Sequence, residues 1–414
     1  MVNKMKQITV SFNKIISYLV LVLFVGIIVF EVQSWKSIPY YITWGLILIF
    51  FAKKNDGNIP IVLGKYHVFM ILFIIYTLFT AVWAINPSDT FAISRGLILN
   101  LFFSSILYFY YTKQNSIYLL LNAIKWAGYI IAIYTIFYYG LDNLILSSVS
   151  SATRIENEYA NINGIAILIG YACIIEFFFF INYSYQSFSL IMLIPSFIVV
   201  AASQSRKALL MIFIGVFFTY ILNIINEKNT KKSIIKVIIG IVGIIVITIF
   251  ITKSPIFSGI RERLYALIKS FIVGNSPGSY IPIRERLISL GIKIWKEHPI
   301  LGIGMANAHI IAAQELNFDA YLHCNYIELL CGGGLIGFLL YYIMYIYIGV
   351  SLWKLRNIDK KAIMFGVVFL LISLATDYGM VSYYGKPECF YLVIQFINIE
   401  QLKKKAAGVS FATI

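Results

Sequence analysis

Apolar residues in this chain fall in runs of 16 to 25, separated by short segments that hold nearly all the Lys, Arg, Asp and Glu. A run of about 20 apolar residues is the length of a helix that crosses a bilayer, whereas a membrane barrel would alternate apolar and polar positions in shorter segments. The pattern therefore predicts an all-α polytopic membrane protein. Breaks at polar, Gly and Pro clusters place spans near 15–31, 38–52, 66–84, 91–111, 117–139, 163–181, 187–203, 207–224, 234–252, 326–350, 361–377 and 382–399, twelve in all, with Pro387 interrupting the last. Three regions follow: helices over 1–252, a long loop over 253–325, and helices with a tail over 326–414.

Composition agrees. Sixty per cent of the 414 residues are hydrophobic and 12% charged, about half the ~25% charged share of a soluble domain. The net charge of +15 is spread over short loops instead of one soluble face, which argues against a nucleic-acid partner. Orientation explains it better. With the N-terminus cytoplasmic, Lys53, Lys54, Lys113, Lys228, Lys231, Lys232, Arg356 and Lys403 to Lys405 all fall inside, and both termini are expected there. The first apolar run follows Lys4 and Lys6 without a small-residue cleavage pattern, so it reads as an uncleaved helix. Cys173, Cys324, Cys331 and Cys389 lie in or beside apolar runs without metal spacing, and imply neither a disulfide framework nor a zinc site.

The loop at 253–325, between the ninth and tenth spans, is long enough to expect function in it. It contains helix-like stretches at 261–271 and at 284–298, the second with apolar Leu287, Ile288, Leu290, Ile292 and Ile294 and a stop at Pro299. His298, His309 and His323 also lie there. It reads as a small helical subdomain on the extracytoplasmic face.

Three features on that face carry candidate chemistry. In SQSRKALL at 203–210, Arg206 and Lys207 are either a turn snorkelling to head groups or, through the planar donors of Arg, a phosphate site. Arg284 and Arg286 open the second amphipathic stretch, on a solvated helix or in a site. His323, in YLHCNYIELLCGGGLIG at 321–337, is expected near the N-terminus of the tenth helix, whose positive end favours a neutral imidazole. No carboxylate is placed by helical spacing to orient its ring. Gly332, Gly333, Gly334 and Gly337 read as permitting close helix approach. Arg95, Lys125 and Glu176 are charges within apolar runs, either functional or a structural pair of Glu176 with one of the other two. Arg154 is a further candidate with a solvated-loop alternative. No Walker, HExxH, GxSxG or DxD pattern is present, and no acid or histidine cluster suggests a metal or other cofactor.

Together SQSRKALL, RERLISLGIKIWKEHPILGIG and LHCNYIELLCGGGLIG, with AVWAINPSDT at 81–90 and EYANINGIA at 158–166, resemble the O-antigen polymerase and O-antigen ligase superfamily of bacterial membrane glycosyltransferases. This chain has Cys324 directly after the histidine, with Asn325 following. The resemblance implies a metal-independent enzyme of the cytoplasmic membrane, using a polyprenyl-diphosphate-linked glycan donor and a glycan acceptor. Arg206 and Arg284 would bind the diphosphate and His323 would act as general base, with Lys207, Arg286, Arg154 and Arg95 in support. A polymerase joining repeat units into O-antigen, capsule or exopolysaccharide is the leading expectation. A ligase moving finished glycan to a lipid core or protein is the second. A chain-length regulator or a flippase would be its partner. A secondary transporter or flippase is the reading from another class, and would show two similar halves; none is visible.

Overall fold

A computed structural model describes residues 11–114, 116–149, 155, 158–183, 187–259, 261, 262, 265 and 283–408. Most of the expected helix at 261–271 lies outside the described residues, as does Arg154. In chain order the α-helices are α1 (Phe12–Val29), α2 (Ser37–Lys54), α3 (Lys65–Phe79), α4 (Pro87–Tyr111), α5 (Tyr118–Tyr139), α6 (Leu141–Val149), α7 (Ile162–Asn182), α8 (Leu193–Ser203), α9 (Arg206–Asn226), α10 (Thr230–Lys253), α11 (Ile283–Glu297), α12 (Ala308–Leu316), α13 (Asn325–Lys354), α14 (Lys360–Asp377) and α15 (Lys386–Ala406). Among the described residues there is no strand. Among the described residues seven helices are long and apolar enough to cross a membrane: α1, α3, α4, α5, α7, α9 and α13. Helices α2, α8, α10, α14 and α15 occupy the other five positions where spans were expected.

Two local expectations change. The segment after α5, read as loop, contains α6, whose Leu144, Ser147 and Ser148 are buried. Pro387 does not break the last helix but starts it: at the second position of α15 its missing N–H is one that a helix end leaves unpaired anyway.

Helix α7 is enclosed by α5, α8 and α9 and is apolar nearly all round, as a central helix must be. Its one charge, Glu176, takes Lys125 of α5 at 3.0 Å, with both side chains fully buried. Tyr129 and Ser189 donate to the same carboxylate at 3.0 and 2.6 Å. The cost of burying the pair is offset by hydrogen bonds on both oxygens, and the pair is structural. Arg95 is not its partner and lies exposed on α4.

The bundle has two chemically different ends. At one, Lys54 and Tyr110 meet Asn13, Lys404 reaches the Thr112 carbonyl and Lys405 pairs with Asp359. At the other, α1, α3, α5, α8 and α14 finish and α2, α4, α7, α9, α13 and α15 begin. The long loop returns to this second end. There α11 buries Leu287, Leu290 and Ile294 against Ile303, Ala308, Ala312 and Leu322, a small core of its own.

The decisive local feature is a break in α13 at Gly334, which has φ +61° and ψ −163°. A broken helix exposes carbonyls on one side and N–H groups on the other, and in an apolar setting each needs a partner. The segment after α11 supplies them. Ile303 and Gly304 donate to the carbonyls of Cys331 and Gly332 at 3.0 and 2.9 Å, and Leu335 and Ile336 donate to those of Pro299 and Ile300 at 2.9 and 3.3 Å. Tyr76 of α3 caps the Gly333 carbonyl at 2.6 Å. The glycines expected to admit a neighbouring helix therefore admit a strip of non-helical backbone. At Gly302, with φ +68°, a Cβ would lie 2.5 Å from the Gly332 carbonyl oxygen.

The strip is fastened to the α3–α4 turn as well. Thr80 and Thr90 hydrogen-bond the two backbone groups of Met305, and Asn307 receives the Asn86 N–H at 2.5 Å. Thus AVWAINPSDT, PILGIG and the glycine run form one hydrogen-bonded unit. Gly334→Ala is expected to cost at least about 1–3 kcal/mol from backbone strain alone, since its Cβ would also fall 2.2 Å from the Ile300 carbonyl oxygen. Gly96→Ala, where a Cβ meets nothing within 4 Å, is the control. Thermal unfolding in detergent checks this, and equal midpoints would contradict it.

Candidate active site

The site lies where α9 and α13 begin. Between α8 and α9 the chain reverses in one turn. Gln204 adopts a left-handed φ of +49°, Ser203 accepts the Ser205 N–H at 3.1 Å, and Ser205 caps the Ala208 N–H. This places Arg206 and Lys207 as the first two residues of α9. Cations are disfavoured at a helix N-terminus, whose dipole is positive. Two of them there, added to that dipole, concentrate positive potential suited to an anion.

His323 stands just before α13 in a left-handed conformation, φ +55°. It is not helical, so sequence spacing from it does not decide its neighbours. Three contacts hold this strained turn. Leu322 is fully buried in the small core of the long loop, and its N–H donates to the buried carboxylate of Glu328 at 2.8 Å. Arg284 donates through Nη2 to the His323 carbonyl at 3.2 Å. Glu328 was not expected to matter for the histidine; it acts on the backbone beside it, a role no helical spacing reveals.

Arg284 also donates to the Tyr378 carbonyl at 2.8 Å, and its guanidinium lies 6.0 Å from the centre of that ring. Arg286, two residues on and on the opposite face of α11, is exposed. Tyr378 belongs to the α14–α15 turn, which Asn325 clamps. Oδ1 of Asn325 accepts the N–H groups of Ser382 and Tyr383 at 2.9 and 3.1 Å, and its Nδ2 donates to Tyr342 and Asp377. Tyr383 is buried. The Lys207 stem runs along Gly379 of the same turn, where a Cβ would lie 3.0 Å from it.

Lys207, Arg284 and His323 are thereby brought together. Burial, and then the charges of Lys207 and Arg284, lower the His323 imidazole to about 4, so it is neutral at ordinary pH. Tyr321 packs its ring 4.2 Å from that of His323. Arg206 is half-buried beside Lys207. Neither Arg95 nor Arg206 is among the charges that lower the His323 pKa. Among the described residues no three His, Cys, Asp or Glu side chains gather as metal ligands would.

Next to Tyr321 and Lys207 a cavity of about 360 Å³ opens between α1, α2, α7 and α15. On the other side, His309 of α12 ties the long loop down. Its Nε2 meets Asp89 at 3.1 Å and its Nδ1 meets Asp319 at 2.8 Å. Both ring nitrogens face carboxylates, an arrangement that favours the imidazolium.

A bundle of apolar helices whose charged and hydrogen-bonding groups converge at one end defines a polytopic membrane protein with a polar site at that end. Residues 190–342, which include Arg206, Arg284 and His323, match the family model described as O-antigen ligase. That match supports the resemblance of the motifs to the O-antigen polymerase and ligase superfamily. No curated protein matches the chain.

The His309 latch has a defined pH sign. Burial opposes its charge, but Asp319 and Asp89 outweigh burial and raise its pKa above the usual value. Its contribution to stability is therefore complete below the unfolded value of about 6.5 and is lost as pH rises through the folded pKa. The margin in thermal midpoint between wild type and His309→Gln should be present near about pH 6 and shrink by about pH 9; a margin constant across that range would contradict the latch.

Proposed function

We propose that this protein polymerises polyprenyl-diphosphate-linked oligosaccharide repeats at the extracytoplasmic face of the cytoplasmic membrane, without a metal ion. Twelve spans with both termini inside, and the segment 253–325 outside as a subdomain, give the matching topology. The gathering of Lys54, Lys404 and Lys405 at the bundle end opposite the site supports this orientation. The observation that carries the reading is the placement of Lys207 and Arg284 around a neutral His323, beside two helix N-termini.

In this reading the donor diphosphate rests between Arg206 with Lys207 on one side and Arg284 on the other. Nη2 of Arg284 is committed to two carbonyls, which leaves its Nε and Nη1 donors for phosphate oxygens. The acceptor hydroxyl gives its proton to His323 as its oxygen bonds to the anomeric carbon. The anomeric C–O bond breaks, and the electron pair leaves with the polyprenyl diphosphate. Direct displacement inverts that centre. Each cation on the leaving group supplies on the order of 3 kcal/mol to the transition state, and the base contributes about 10²- to 10⁴-fold.

The low pKa of His323 has a role here. Burial depresses it first and the charges of Lys207 and Arg284 add to that; a diphosphate seated between those two cations offsets their part, so the imidazole gains basicity once substrate is bound.

Reconstituted protein given lipid-linked repeats should lengthen them. Arg284→Ala and Arg206→Ala should each lose about 10²- to 10³-fold in turnover, and His323→Ala about 10²- to 10⁴-fold. Exposed Arg286 and Arg95 should tolerate Ala with little change. Near-normal turnover in Arg284→Ala and His323→Ala would overturn the assignment. Chains from a deletion strain separate the two family chemistries: single repeats left on their acceptor indicate a lost polymerase, and long chains stranded on carrier lipid indicate a lost ligase.

The acid limb of kcat/KM, which reports the free enzyme, should fall near pH 4. The limb of kcat, which reports the loaded enzyme, should fall at higher pH. Coincident limbs would contradict the neutralisation of Lys207 and Arg284 by substrate.

A further inference from the structure

The cavity beside His323 has charges that the transfer step does not use. Its volume of about 360 Å³ suits a small-ligand site. Lys207 and Tyr321 form the edge it shares with the candidate active site, and Lys36, Tyr40 and Lys386 line its wall. Lys386 lies 4.5 Å from the centre of the Tyr40 ring and within electrostatic reach of Lys36. The Lys36 ammonium donates to the Glu31 backbone carbonyl at 2.9 Å. Among the described residues neither lysine has a carboxylate within ion-pair distance.

Two carboxylates also face the cavity, and both are held by backbone. Glu31 accepts the N–H of Asn161, the N-cap of α7, at 3.0 Å. Glu388 folds over the first turn of its own helix, where a Cβ on Gly385 would lie 2.0 Å from its oxygen. Among the described residues neither forms an ion pair with Lys36 or Lys386. Like charges side by side repel, and an anion between them relieves the repulsion. Asn163 and Tyr391 add polar and aromatic surface, while Phe24 and Ile28 give an apolar floor. Such a mixture suits a sugar ring.

We propose that this cavity is a glycan subsite which selects a sugar carrying a negative charge, with Lys36 and Lys386 as its anion-binding pair. The proposal rests on the reading that glycan transfer occurs at His323, because Lys207 and Tyr321 join the two sites. It adds a substrate class, a repeat unit containing an acidic sugar.

Calorimetric titration of the full-length protein in detergent with D-glucuronate and with D-glucose tests it. Glucuronate should bind at least about tenfold more tightly, the gain of one charge-assisted contact. Lys36→Gln and Lys386→Gln should each remove that preference while keeping the thermal midpoint, and Lys36→Arg should restore it. His323→Ala should keep it. Equal binding of the two sugars, or a preference untouched in both Gln variants, would overturn the proposal. Inorganic pyrophosphate binding more tightly than glucuronate, dependent on Lys36 and Lys386 but not Arg284, would also overturn it by reassigning the pair to phosphate. Turnover without a charged-sugar preference refutes the subsite alone, and the preference without turnover refutes the transfer chemistry alone.

Discussion

Peptide groups freed by a broken helix must find partners, and in this protein that requirement organises the site. At Gly334 the two halves of α13 part, and residues 299–304 enter the gap to pair the groups on both sides of it. The same strip is bonded to the α3–α4 turn through Met305 and Asn307. Because the strip follows α11 directly, its seat on α13 fixes where α11 lies. That in turn brings Arg284 to the turn ahead of α13. The arginine is thus positioned by backbone pairing more than ten residues away from it.

The histidine is positioned by a second set of contacts. A left-handed residue that is not glycine is strained and persists only when its surroundings over-determine it. Here Glu328, the buried Leu322 and Arg284 hold His323 from three directions. Asn325, one residue beyond Cys324, holds the α14–α15 turn through two backbone N–H groups. That turn presents the Tyr378 carbonyl to Arg284 and lies along Lys207. The rigid parts are hydrogen-bonded backbone, and the groups left at the surface of the site are cationic or basic.

Much of this was legible in the sequence where the signal was local. Apolar run length marked the helices, and the spacing of Leu287, Leu290 and Ile294 with the Pro299 stop marked α11. The motifs marked Arg206, Arg284 and His323, with Lys207 in support; that Lys207 and Arg284 are the charges acting on His323 depends on contacts between distant segments. What was illegible depended on distant partners. Four glycines between 332 and 337 are compatible with a close helix neighbour or with a break, and only the placement of residues 299–304 decides. Pro387 has the same chemistry at a helix start as at a kink, and the start of α15 decides that. Glu328 lies on the wrong side of α13 to meet a helical His323, but His323 is not helical. Glu176 had two candidate partners, and only the packing of α5 on α7 selects Lys125.

The central claim is that a lipid-linked diphosphate is held between the start of α9 and Arg284, next to His323. A photoreactive polyprenyl diphosphate analogue, cross-linked to the protein in membranes and mapped by mass spectrometry, tests it most directly. The account predicts adducts on the peptides that contain residues 203–210, Arg284 and residues 321–326, and their loss when unlabelled lipid diphosphate competes. Adducts confined to the opposite end of the bundle, around Lys54 and Lys403 to Lys405, would contradict it.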